Sequence, residues 1–185
     1  GGGRLEEAVE IANFFLPRGK VIVTTKGKTK QASNTYKTLR EPLDLDIPIT
    51  VLVNGATASA SEILSGAFQD FDRAVIVGSR TFGKGLVQTT RPLPYGGVMK
   101  LTTSKYYIPS GRCVQAIDYK HRNEDGSVGT IPDSLTTVFH TAAGREVRDG
   151  GGVMPDIEVK QEKLPNILFY LVRDNLIFDY ATQYC

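Results

Sequence analysis

Two short segments of this chain carry residue types that could do covalent chemistry. In Asn54-Gly55-Ala56-Thr57-Ala58-Ser59-Ala60-Ser61-Glu62, a serine falls between an apolar run and the first turn of a helical pattern. Open α/β sheets place their active sites beyond the carboxyl ends of strands. A serine at that junction lies beside backbone N–H groups that the helix leaves unpaired, and such donors can stabilise an oxyanion. The same residues also fit a plainer pattern. Ser59-x-x-Glu62 is a capping box, in which the serine caps the helix and the glutamate reaches back. Ser61 and Ser65 are alternative hydroxyls nearby.

The second segment is Thr81-Phe82-Gly83-Lys84-Gly85, followed by Leu86, Val87 and Gln88. A lysine becomes a base when burial disfavours its charged form. Gln88 could hydrogen-bond the amine without adding the negative charge that would keep it protonated. Read alone, Gly83-Lys84-Gly85 fits a surface turn with a solvated lysine equally well. It is not a phosphate-binding loop, because the glycine spacing and the hydroxyl residue after the lysine are missing. Together the segments suggest a serine nucleophile with a lysine base, a variant of triad logic.

Little else in the chain competes. His121 and His140 are the only histidines, and neither has a second His or Cys at metal-ligand spacing, so no metal site is expected. Cys113 and Cys185 allow one bridge without requiring it, and they exclude a zinc ribbon or disulfide scaffold. Lys and Arg number 22 against 20 Asp and Glu, a net +2, without the basic excess of a nucleic-acid binder. No apolar run is long enough to span a membrane. The chain opens at Gly1-Gly2-Gly3-Arg4 without an initiating Met, and it reads as a piece of something longer, so missing targeting signals say nothing about location.

The elements that would position these residues can be traced from periodicity. Leu5, Ala8, Val9, Ala12, Phe15 and Leu16 mark an amphipathic helix stopped by Pro17. Lys20 to Thr25 reads as a strand, and residues 26–46 as an exposed loop or short extended excursion. Ile47 to Val53 is nearly all apolar, as in a strand covered on both faces. Ala60, Ile63, Leu64, Ala67, Phe68 and Phe71 trace a helix face, and Ala74 to Val77 a second buried strand, completing a βαβ unit. Leu86 to Leu93 and Val98 to Tyr107 read as strands joined at Pro94-Tyr95-Gly96-Gly97. Thr137 to Thr141 and Glu146 to Arg148 suggest a hairpin, Ile157 to Val159 a last strand, and Leu164 to Val172 a closing helix. The fold class is α/β.

The blocks GRLEEAVEIANFFLPRG, VLVNGATASASEILSGAFQD, RAVIVGSRTFGKGLVQT, LTTSKYYIPSGR and GVMPDIEV, in this order, resemble those of the carboxy-terminal processing peptidases, or tail-specific proteases. The resemblance implies a core of stacked βα units related to the Clp protease and crotonase superfamily, here with an antiparallel hairpin extension. It implies Ser59 as nucleophile, Lys84 as general base and Gln88 as the residue orienting that lysine. The oxyanion hole would come from the backbone N–H of Ala60 and of Gly2 or Gly3. Glu62 and Asp70 match supporting acidic positions, for which a helix cap and a helix-end contact are the expected roles. The implied substrates are proteins cut near their carboxyl termini, often in the bacterial cell envelope and so in the periplasm, with no cofactor. Family members carry a PDZ domain and an earlier part of the core upstream, so residues 1–185 are expected to be the later part of a peptidase core that need not be active alone. The stretch from Cys113 to Leu135 is longer and more polar than the family pattern, and residues 113–152 suggest a lid or surface insertion. Two other readings stand beside this one. One is a crotonase-like acyl-CoA enzyme with Glu62 as its base, and the other a noncatalytic peptide-binding module in which Ser59 is only a cap.

Overall fold

A computed structural model describes residues 1–160 and 165–184. The first helix, α1 (Leu5–Phe15), buries Ala8, Val9, Ala12 and Asn13 along one face and keeps Glu6 and Glu7 in its first turn. Pro17 lacks the N–H to prolong it, so the chain turns into β1 (Val21–Gly27). The polar stretch that follows includes a short extended excursion, β2 (Asn34–Lys37), antiparallel to β1. The central unit is β3 (Thr50–Val53), α2 (Ala60–Asp70) and β4 (Val75–Gly78), with β3 and β4 parallel and adjacent. Next come β5 (Leu86–Pro92) and β6 (Val98–Tyr107), an antiparallel pair. Val87 opposes Ser104 and Gln88 opposes Thr102, so Thr103 is an extra residue that bulges the ribbon.

β6 also pairs with β1, giving a four-stranded antiparallel sheet in the order β2-β1-β6-β5. The parallel sheet has the order β11-β4-β3, where β11 is Ile157–Glu158. α1 and α2 share one core with both sheets. Leu16, Ile22, Val23, Ile63, Ala67, Ile76, Tyr106 and Val153 are all essentially without solvent contact there.

β3 and β4 depart from expectation. Strict alternation sends Val53 inward but leaves Leu52 79% exposed, and Val75 is 44% exposed. α2 covers one face of the parallel sheet, and among the described residues no helix covers the other. A run of apolar residues reveals burial potential but not which face finds a partner.

Residues 113–152 hold two hairpins. One joins β7 (Ile117–Arg122) to β8 (Val128–Thr130) through a turn at Asn123–Ser127. The other joins β9 (Val138–His140) to β10 (Glu146–Arg148), around Ala143-Gly144 as expected. The chain ends in α3 (Asn166–Arg173) and α4 (Leu176–Tyr184). Leu164, placed in the closing helix by periodicity, lies outside the described residues, as does Cys185.

Candidate active site

Ser59 immediately precedes α2 and has φ 57° and ψ −120°. A residue with a Cβ in this region costs on the order of 1–3 kcal/mol and persists only where neighbours hold it. Two side chains do so. Glu62 Oε2 accepts the Ser59 N–H at 2.9 Å, and the Tyr106 hydroxyl lies 3.2 Å from the Ser59 carbonyl. The Ser59 carbonyl in turn accepts the N–H groups of Glu62 and Ile63 at 2.8 and 3.0 Å, which start the main-chain bonding of α2.

Glu62 does more than cap. It is completely buried and accepts four hydrogen bonds. Oε2 takes the N–H of Ser59 and that of Lys84, the latter at 2.8 Å. Oε1 takes the Gly83 N–H at 2.7 Å and the Thr81 hydroxyl at 2.5 Å. One carboxylate therefore fastens the start of α2 to the loop between β4 and β5. Both oxygens are engaged and neither reaches solvent, which removes Glu62 as the free carboxylate base that an acyl-CoA reading requires. Thr81 extends the anchorage, because its oxygen also accepts the Val153 N–H at 2.7 Å.

The Lys84 loop is not a surface turn. Gly83 has φ +82°, and a Cβ there would lie 2.3 Å from Ala116 Cβ. A Cβ on Gly85 would meet the Gln115 nitrogen at 2.8 Å and Cys113 Sγ at 3.0 Å. The glycines are needed because residues 113–116 press directly against this loop. Its main chain is tied on every side. Phe82 N–H donates to the Thr57 carbonyl, Ala116 N–H to the Gly83 carbonyl, and Gly85 N–H to Gln115 Oε1 at 2.8 Å. The Tyr106 hydroxyl also contacts the Lys84 carbonyl closely. That phenol is pushed well above its ordinary value of 10.0 by burial, then by the nearby charge of Glu62, so it remains a donor. Its one proton serves a single carbonyl, the nearer being that of Lys84, while the Ser59 carbonyl lies beside the same hydroxyl.

Ser59, Ala60, Lys84, Gln88 and Gly3 line one cleft of about 510 Å³, with Tyr106 in its wall. Lys84 is half-buried and Gln88 exposed. Gly2 does not line the cleft but packs against the serine, where a Cβ would come within 3.0 Å of Ser59 Cβ. Asp70 stands at the opposite end of α2, ion-paired to Arg112 at 2.9 Å with both side chains 1% exposed. It also accepts the Ser110 N–H at 2.9 Å. Burial pushes the Asp70 carboxyl up, against the pull of Arg112. Neither histidine lines the cleft, and His121 pairs with Asp118 on the surface. No group of three or more potential metal ligands occurs among the described residues.

Sequence reasoning missed Thr81 and Tyr106. The signal for Tyr106 was available in the alternation of Ser104 and Tyr106 on one face of β6, where a buried phenol needs a partner for its hydroxyl. Thr81 carried no such signal.

A family model described as Peptidase family S41 matches residues 1–134. The chain is 45% identical over 116 residues to a carboxy-terminal-processing protease of Bartonella bacilliformis, covering 63% of this chain and 26% of that protein. It is 45% identical over 115 residues to a probable CtpA-like serine protease of Staphylococcus aureus, covering 61% of this chain and 23% of that protein. It thus spans about a quarter of the length of these curated relatives. Among solved structures, a photosystem II D1 C-terminal processing protease superposes with TM-score 0.62 at 30% identity, over 94% of this chain and 36% of that one.

Proposed function

The chain belongs to peptidase family S41, and from that premise we propose that it forms the later part of the core of a serine endopeptidase that cuts proteins near their carboxyl termini. Ser59 is the nucleophile and Lys84 the general base. As Ser59 Oγ attacks the scissile carbonyl, Lys84 Nζ takes its proton. The developing oxyanion is held by the N–H of Ala60, an unpaired donor of the first helical turn, and by that of Gly2 or Gly3. The C–N bond then breaks, and Lys84 returns the proton to the leaving amine. The acyl group stays on Ser59 until water, giving its proton to Lys84, attacks it; the bond to Ser59 Oγ breaks, the carboxylic acid leaves, and Lys84 returns the proton to Oγ. Gln88 orients the amine without contributing charge. Glu62 and Tyr106 are positioning residues, which fix the two main-chain segments relative to each other.

The observation that carries this reading is the bridge that one buried carboxylate makes between the N–H groups of Ser59 and Lys84, with a buried phenol lying beside both of their carbonyls. A serine that served only as a cap would not need its strained backbone tied to a lysine loop from a different part of the chain. The surrounding architecture is a crotonase- and Clp-like core, completed in the longer protein by earlier core strands and a PDZ domain, with residues 113–152 as a lid or surface insertion. Its place would be the bacterial cell envelope, on the periplasmic side, which is what the family resemblance implies. The test is a peptide-cleavage assay. Ser59→Ala or Lys84→Ala is expected to lower kcat by about 10⁴-fold or more. Wild-type turnover in either variant contradicts the assignment.

A further inference from the structure

A second groove, of about 880 Å³, lies between the Lys26–Ala32 segment and the β5–β6 ribbon. It adjoins the Ser59 cleft, and the two share Gln31, Ala32, Leu86, Thr89, Thr103 and Ser104 as lining. Its charged lining is entirely cationic, made of Lys26, Lys28, Arg91 and Lys105, with no Asp or Glu. Lys26 and Lys105 stand directly opposite each other across the β1–β6 pair, an arrangement of like charges that disfavours the sheet. Elsewhere on the surface several guanidinium groups find acids, as Arg80 does with Asp133 and Arg145 with Asp72, although among the described residues no lysine does. Among the described residues, none of the four groove cations has a carboxylate within 4.0 Å. The Lys26 ammonium instead stacks 4.7 Å from the Tyr107 ring centroid. At the junction of groove and cleft, Thr89 Oγ1 is buried and has no hydrogen-bond partner.

We propose that this groove binds an acidic stretch of the peptide substrate flanking the bond presented to Ser59. The inference rests on the peptidase reading above and adds a substrate class to it. An acidic peptide offsets the Lys26–Lys105 repulsion, a gain that a neutral peptide cannot supply. Continuity with the cleft is what selects a peptide over other polyanions.

The test separates binding from cleavage. The Ser59→Ala protein is titrated into fluorescein-labelled peptides of equal length, one with a run of glutamates and one with glutamines in their place, and anisotropy is read at low and high salt. The acidic peptide is expected to bind about tenfold more tightly at low salt, with the difference vanishing at about 0.5 M salt. Lys28→Glu combined with Arg91→Glu is expected to abolish or reverse the preference. Equal, salt-insensitive affinities, no binding of the acidic peptide, or tighter binding of a single-stranded DNA oligomer would overturn the proposal. Cleavage is scored separately, with the unmodified full-length protein. Charge-dependent binding without any cleavage ends the peptidase reading and leaves the groove, whereas cleavage with charge-blind binding ends the groove and leaves the peptidase.

Discussion

Replacing Glu62 by glutamine keeps its shape and removes its charge. The carboxylate accepts hydrogen bonds from Ser59, Lys84, Gly83 and Thr81. Glutamine offers one acceptor oxygen, so at least one pair of donors must face an NH₂ group. A hydrogen bond to a charged acceptor contributes about 1.5–3 kcal/mol, and a buried donor left unpaired forfeits its hydration as well. Two lost bonds therefore cost at least about 3 kcal/mol, which for a chain of this size lowers Tm by about 6–12 °C. The damage should not be confined to stability. Whichever pair is lost, either Ser59 and Lys84 or the loop behind them loosens, and misplacing a reacting group by about 1 Å costs on the order of 10²-fold in rate. Calorimetry and the rate of labelling by a serine-reactive fluorophosphonate read the two effects on one sample. A Glu62→Gln protein with Tm within about 2 °C of the parent and an unchanged labelling rate would refute the bridging role.

Three further perturbations test the packing around the site. Gly83→Ala forces a Cβ into Ala116 at positive φ, so chemical denaturation should show a loss of about 2 kcal/mol or more, with reduced labelling. Arg112→Ala leaves the Asp70 carboxylate buried without its partner and is expected to cost about 3–5 kcal/mol in the same measurement. Tyr106 gives a pH signature. Burial, followed by the charge of Glu62, raises the folded phenol's pKa above the unfolded value of 10.0. Its contribution is therefore fully present below about pH 10 and is lost as pH rises toward the folded value, with a limiting slope of about 1.4 kcal/mol per pH unit. Urea unfolding at a series of alkaline pH values should show that loss, and Tyr106→Phe should reduce it to what Tyr107 and Cys113, also raised by burial, contribute.

The main elements were legible because each is an amphipathic repeat with a clear stop. Leu5 to Leu16 ends at Pro17, and the β5–β6 pair turns at Pro94-Tyr95-Gly96-Gly97. The β7–β8 hairpin escaped notice although Asp125-Gly126 is a turn signal, because its strands are polar on both sides. Faces were harder to read than elements. Leu52 and Val75 read as buried from the apolar runs containing them, but burial depends on a layer that a run cannot specify. At the site, the pattern Ser59-x-x-Glu62 pointed to a glutamate reaching back, and Glu62 does accept the Ser59 N–H. The pattern could not reveal that the same glutamate also holds the Lys84 loop, because those contacts join residues distant in sequence. Gly83 and Gly85 suggested a surface turn, whereas residues 113–116 pack against them and leave no room for a side chain.

Buried groups around the cleft spend their hydrogen bonds on one task, holding a strained serine and a lysine-bearing loop together. The most direct measurement is covalent. The protein is treated with a fluorophosphonate, and the modified residue is located by mass spectrometry in the parent and in Lys84→Ala. The account predicts a single adduct on Ser59 whose formation slows by orders of magnitude without the lysine. An adduct on Ser61 or Ser65, or undiminished labelling of Ser59 in Lys84→Ala, would contradict it.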